Sequence, residues 1–158
     1  MSLVKAPLDD VDHRLLAEVQ ADARTPQSAL GARVGLSAAA TNRRLRRLTD
    51  DGYITRTTAV LAPELLGHPL TVIAQVEVES EQTDRLDQVQ QAFVDCPQVQ
   101  QCYYVTGECD FVVIFLVRDM QQYRELTRRL FFDDPNVKRF TTLVAMDRAK
   151  VTLDVPLA

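Results

Sequence analysis

Four arginines crowd one short stretch: Arg43, Arg44, Arg46 and Arg47 lie between a Gly35-Leu36-Ser37 opening and a Gly52 stop. A guanidinium group is a permanent cation with planar donors, suited to phosphate oxygens and to the acceptor edge of guanine. Ser37 is placed to cap a helix, and Gly52 is the residue type found just past a helix end. Helical spacing over about four turns puts Thr41, Leu45 and Leu48 on one side, with Ala39, Arg43, Arg46 and Arg47 on the other. A narrow apolar stripe backed by a face that is small first and basic afterwards suits insertion into a DNA major groove. The stretch therefore reads as a recognition helix for duplex DNA.

Each residue of that helix has a structural role to weigh beside a recognition role. Ser37 caps the helix, and its free end also favours a phosphate. Ala38 and Ala39 either support helix formation or allow close approach to a thymine methyl. Asn42, on the edge of the exposed face, is shaped to pair with adenine. Arg43 and Arg46 are the expected base or phosphate contacts, and Arg47 the expected phosphate clamp. Arg44, on the flank of the buried stripe, either joins them or pairs with an acid of the first helix. Arg56, further along, lies near the DNA backbone or is an ordinary exposed cation.

The net charge of −4 over 158 residues conceals an asymmetry. Residues 1–62 carry net +2 and residues 63–158 carry net −6. Phosphate attraction is screened over about 10 Å, so the local cluster decides the partner rather than the acidic total. Other chemistries find no support. Cys96, Cys102 and Cys109 form no CxxC pair, and His13 and His68 lie far apart, so no metal site is expected. Cys96 and Cys102 read as small buried groups of a reducing cell. There is no nucleophile elbow, phosphate-binding glycine loop or clustered acid–base set, so no enzyme is expected. No apolar run reaches the roughly 20 residues that span a bilayer, and no secretory leader is visible, so a cytoplasmic protein is expected.

The elements that must position the basic helix follow in order. From Leu8 to Asp22, Val11, Leu15, Leu16 and Val19 recur at helical spacing after an acidic start. Thr25 is expected to cap a second helix running from Pro26 to Val34, which buries Leu30 and Val34. Helix, short turn and helix make a helix-turn-helix, with the first helix behind the pair. Tyr53 to Leu61 reads as two short strands turning near Thr57, a wing. The proline-bounded segment 63–69 is the expected linker between a first domain (1–62) and a second (70–158).

The second domain alternates strand and helix. Leu70 to Glu79 alternates apolar and polar residues; Thr83 to Asp95 carries a stripe of Leu86, Val89 and Phe93; Val99 to Thr106 is a second strand. Phe111 to Val117 is wholly apolar, a central strand. Met120, Tyr123, Thr127 and Leu130 stripe another helix, and Val137 to Met146 is a final strand. The order is that of a ferredoxin-like βαββαβ domain, so the chain is α+β, a winged helix-turn-helix followed by an antiparallel sheet with two helices on one face. Tyr104, Phe111, Phe115 and the last strand are expected to form a dimer interface on the uncovered face.

These segments together resemble the Lrp/AsnC, or feast/famine, family. The resemblance rests on LDxxDxxLL, RVGLS, RRLRRLTDDGYI and LAPELLG in the first part. In the second it rests on VTGECDFVV, VRDMQQYRELTRRL and NVKRFTTLVAMDRAK. It implies control of amino-acid metabolism or transport genes and a dimer that often assembles into octamers. It also implies a small amino-acid effector, with no other cofactor, bound between two C-terminal (RAM) domains. The implied effector residues are Gly107, Glu108, Cys109 and Asp110 of the turn, with Thr142, Leu143 and Val144 of the last strand. Asp110 either accepts bonds from its own turn or faces the ligand's amino group. The alternative function is an architectural protein that wraps DNA without an effector.

Overall fold

The computed structural model describes residues 7–157. They fall into two compact units: one runs to Val60 and includes the segment from Thr152 onward, the other spans Leu61–Val151.

In the first unit, helix α1 is Asp10–Ala21, α2 is Gln27–Val34 and α3 is Ala38–Asp50. A capping box starts α1: the Asp9 carboxylate accepts from the Asp12 N–H, and the Asp12 carboxylate accepts from the Asp9 N–H. Such reciprocal bonds satisfy donors that a helix start otherwise leaves unpaired. Leu15, Leu30, Val34 and Leu48 are the buried centre, and Val11, Leu16, Val19, Leu36, Leu45 and Ile54 pack around it. Helix α2 departs from expectation by one position. Pro26 itself is the cap residue, its carbonyl accepting from the Leu30 N–H at 2.9 Å, and no side chain caps the helix. Thr25 instead donates its N–H to the Asp22 carbonyl, closing the preceding turn.

The expected wing is absent as strands: residues 55–62 form no regular secondary structure. An isolated two-strand ribbon is marginal in water, and the Arg56-Thr57 region offers none of the Asn-Gly or Asp-Gly chemistry that closes a tight hairpin. The boundary also moves. Residues 61–69, with a 3₁₀ turn at Glu64–Leu66, group with the second unit. The chain end groups with the first, where the Gln20 side-chain amide holds Val155 through both its backbone N–H (2.9 Å) and its carbonyl (3.0 Å).

In the second unit, β1 is Leu70–Val78, α4 Thr83–Val94, β2 Val99–Tyr104, β3 Phe111–Val117, α5 Met120–Thr127 and β4 Val137–Val144. A π-helical turn, Arg128–Phe132, extends α5. The sheet is antiparallel throughout, in the order β2-β3-β1-β4. Alternation puts Val72, Ala74, Val76, Phe111, Val113 and Phe115 on one face, buried with Val89 and Phe93 of α4 and with Tyr123 and Leu126 of α5.

This corrects the expected interface. Phe111 and Phe115 lie under the helices, where Phe93 meets Phe111 edge-on at 5.6 Å and Tyr123 meets Phe115 likewise at 5.6 Å. A strand apolar at every position carries no alternation to say which residues face the helices. Their neighbours Val112, Ile114 and Leu116 occupy the opposite face with Ile73 of β1. Tyr103 and Leu143, on the same face, remain 50% and 47% exposed. Cys96 is buried as expected, and Cys102 only half-buried.

Candidate nucleic-acid interface and ligand turn

Helix α3 is set in place by its buried side and by the turn before it. Ser37 caps it, its hydroxyl accepting from the Ala40 N–H at 3.2 Å. Thr41 is fully buried and donates its hydroxyl to the Ser37 carbonyl at 3.0 Å. Gly35 adopts φ 78°, the left-handed geometry that lets α2 end and α3 begin within three residues. Gly31 is the tightest point. A methyl group there would stand 2.5 Å from the Leu36 carbonyl oxygen and 2.8 Å from Thr41 Oγ1. The apolar periodicity of α2 does not mark Gly31; the signal it carries is a glycine inside a helix.

The outward side of α3 carries a groove of about 590 Å³ lined by Ala39, Asn42, Arg43, Arg46, Arg47, Asp50 and Asp51. Ala38, Ala39, Arg43 and Arg46 are exposed, and Asn42 is half-buried. Among the described residues, neither Arg43 nor Arg46 forms an ion pair. Ala39, Asn42, Arg43 and Arg46 share the groove, and Ser37 and Ala38 do not line it. Arg56 is exposed beyond the end of α3 and does not line the groove.

Arg47 departs from its expected role as a phosphate clamp. It lines the groove, but its guanidinium bonds Asp12 of α1. Arg44 takes the pairing alternative, donating to Asp9 at 2.7 Å and to Asp12 at 2.8 Å. Asp12 is wholly removed from solvent, and each of its oxygens is engaged. Burial alone would raise its pKa; the bonds from Arg44, the Asp9 N–H and Arg47 outweigh burial and lower it. The Arg44 bond, with the Asp12 N–H, holds Asp9 down to about 2. Asp9 and Asp12 at the start of α1 and Arg44 and Arg47 on α3 have matching three-residue spacings, but only the crossing of the two helices brings them together.

In the second unit, the turn from Val105 to Asp110 closes with the Val105 N–H on the Asp110 carbonyl at 2.8 Å. Gly107 takes φ 132°, which disfavours any side chain. Gly107 and Glu108 are exposed, and Cys109 and Asp110 are half-buried. Asp110 Oδ2 accepts from the Val78 N–H at 2.7 Å, so the strand end of β1, rather than the turn itself, supplies its partner. Thr142, Leu143 and Val144 pair with Ala74, Ile73 and Val72 on the far side of β1 from β3, several residues from the turn. The Thr142 hydroxyl hydrogen-bonds the Tyr123 hydroxyl at 2.9 Å, on the helix side. Leu143 and Val144 are exposed. A single chain thus does not gather the seven expected effector residues into one pocket.

Residues 71–155 match the family model described as the Lrp/AsnC ligand binding domain, and residues 8–55 match that described as winged helix-turn-helix DNA-binding. An uncharacterized HTH-type transcriptional regulator of Sinorhizobium fredii is 39% identical over 95% of this chain and 89% of its own length. The leucine-responsive regulatory protein of Escherichia coli is 33% identical over 90% of this chain and 87% of its own. A transcriptional regulator of Neisseria meningitidis, solved in complex with L-Met, superposes with a TM-score of 0.90 at 25% identity, covering 96% of this chain and 97% of that one.

Proposed function

Because the chain belongs to the Lrp/AsnC family of DNA-binding transcriptional regulators, we propose that it is a sequence-specific regulator of amino-acid metabolism or transport genes, gated by a small amino acid. The observation that carries the DNA half is the outer face of α3. Two guanidinium groups without an ion pair among the described residues, an amide and Ala39 of the first turn share one groove, while the opposite side of the helix is locked to α1 and α2. Arg43 and Arg46 take phosphates or guanine edges, Asn42 an adenine edge, and the Ser37 end a phosphate. Ala38 and Ala39 permit the approach.

The effector half is supported by the ligand-binding domain match and by the relative that binds L-Met. In this reading the turn of one chain (Gly107, Glu108, Cys109, Asp110) meets a Thr142-Leu143-Val144 segment only across an interface with another copy. Main-chain N–H groups hold the carboxylate, the free oxygen of Asp110 faces the ammonium, and apolar side chains select the ligand's own. The open sheet face, with Ile73, Val112, Ile114, Leu116, Tyr103 and Leu143, is the homodimer surface, and dimers assemble to octamers in the cytoplasm. The effector acts by favouring one arrangement of dimers over another, which requires different affinity for the two.

A thermal-shift screen of the twenty amino acids, followed by gel-shift titration of operator DNA with and without any hit, tests this reading. An effector raises the melting midpoint because it binds only the folded form. It should also change operator affinity. If no amino acid does either, the chain is an effector-independent architectural protein.

A further inference from the structure

The basic helix holds four arginines, but the structure offers only two of them to a ligand. Arg44 and Arg47 are drawn to Asp9 and Asp12 of α1, whereas Arg43 and Arg46 face solvent unpaired among the described residues. Asp12 is fully buried between α1 and α3 and both of its oxygens are in use. Removing two charges from water is costly, so such a pair adds little stability compared with an apolar contact of the same shape. Its distinct effect is on what the helix presents. Non-specific affinity for duplex DNA comes almost wholly from phosphates neutralised by cations, while base-edge contacts supply discrimination. Fewer free guanidinium groups weaken binding to arbitrary sequence without touching the base readers. Asp50 and Asp51, at the far end of the same groove, act in the same direction by repelling phosphate.

We propose that Asp9 and Asp12 are specificity-determining residues: by sequestering Arg44 and Arg47 they limit the phosphate contacts of α3 to Arg43 and Arg46, and so suppress binding to non-operator DNA. This rests on α3 being the duplex-contacting helix, and the experiment separates the two claims.

The test is the salt dependence of binding of the full chain to a mixed-sequence, non-operator duplex, for Arg43→Gln, Arg46→Gln, Arg44→Gln and Asp9→Asn beside the unaltered protein. Arg43→Gln should make the log–log slope shallower by about 0.9, the loss of one phosphate contact. Arg44→Gln should leave the slope as it was. Asp9→Asn keeps the helix cap, since asparagine caps as well as aspartate, and removes one of the two carboxylates that hold Arg44, so the slope should steepen by less than about 0.9 and low-salt affinity should rise. Asp12→Asn removes the partner of Arg47 and one of the two partners of Arg44, so it should steepen the slope further; if it unfolds by circular dichroism, the Asp9 and Arg44 variants decide. Equal losses of slope in Arg43→Gln and Arg44→Gln overturn the sequestration. Unchanged slopes in both Arg43→Gln and Arg46→Gln overturn the placement of α3 on DNA, and with it this inference.

Discussion

Gly31 shows how little room the DNA-binding unit leaves for change at a single atom. The two groups a new methyl would strike are a backbone carbonyl at 2.5 Å and the buried Thr41 hydroxyl at 2.8 Å, neither able to swing aside. Gly31→Ala should therefore destabilise the first unit by about 1–3 kcal/mol, the usual cost of overpacking. A lowered urea midpoint in full-length protein checks this, and an unchanged midpoint refutes it. Residue-level roles set by local chemistry were readable in advance: Ser37 caps α3, and Gly52 adopts the left-handed φ of 78° past its end. Arg47 was not, because its direction depends on where α1 crosses α3, a tertiary fact that helical spacing does not contain. Arg44 was readable only as a choice between two partners for the same reason. Asp110 met a third option, the Val78 N–H, which belongs to a strand more than thirty residues earlier.

At the scale of elements, periodicity located α1, α3, α4 and all four strands to within a residue or two at each end. It failed where the signal was absent. The wing lacked turn chemistry, and the uninterrupted apolar run of β3 concealed which of its faces meets the helices. The clasp between α1 and α3 gives this scale its own prediction. Asp9 has a folded pKa of about 2, against 3.8 ordinarily, held down chiefly by Arg44. A depressed carboxyl stabilises the fold above its unfolded pKa, and that contribution is lost as pH falls towards the folded value. The urea midpoint of the first unit should hold steady above pH 3.8 and decline as pH falls towards about 2. Asp9→Asn, which cannot titrate, should show a smaller decline over the same interval. Identical acid profiles for the two proteins would mean that the clasp is not a titrating link.

For the whole molecule, the proposed homodimer rests on the open sheet face. Val112, Ile114 and Leu116 of β3 and Ile73 of β1 share the open face at the sheet centre, beside exposed Tyr103 and Leu143. Apolar faces of this kind on an otherwise charged chain mark association surfaces. Ile114→Glu should convert a dimer to a monomer in sedimentation equilibrium, since an unpaired carboxylate at the centre of such a face costs several kcal/mol, roughly the net strength of many such contacts. A dimer of undiminished stability would place the interface elsewhere. The domain order was legible in the sequence. That the tail from Thr152 groups with the first unit was not, because its anchor is one glutamine side chain, Gln20, on a backbone segment with no pattern of its own.

The central claim is that duplex DNA is held by the outward guanidinium groups of α3. It is tested most directly by the affinity of the full chain for duplexes selected from a random library, measured for the unaltered protein and for the Arg43→Ala, Arg46→Ala double variant at one salt concentration. With each arginine worth at least about 1 kcal/mol, the variant should bind about 30-fold more weakly or worse while keeping its urea midpoint. Equal affinity in a folded variant would contradict the account.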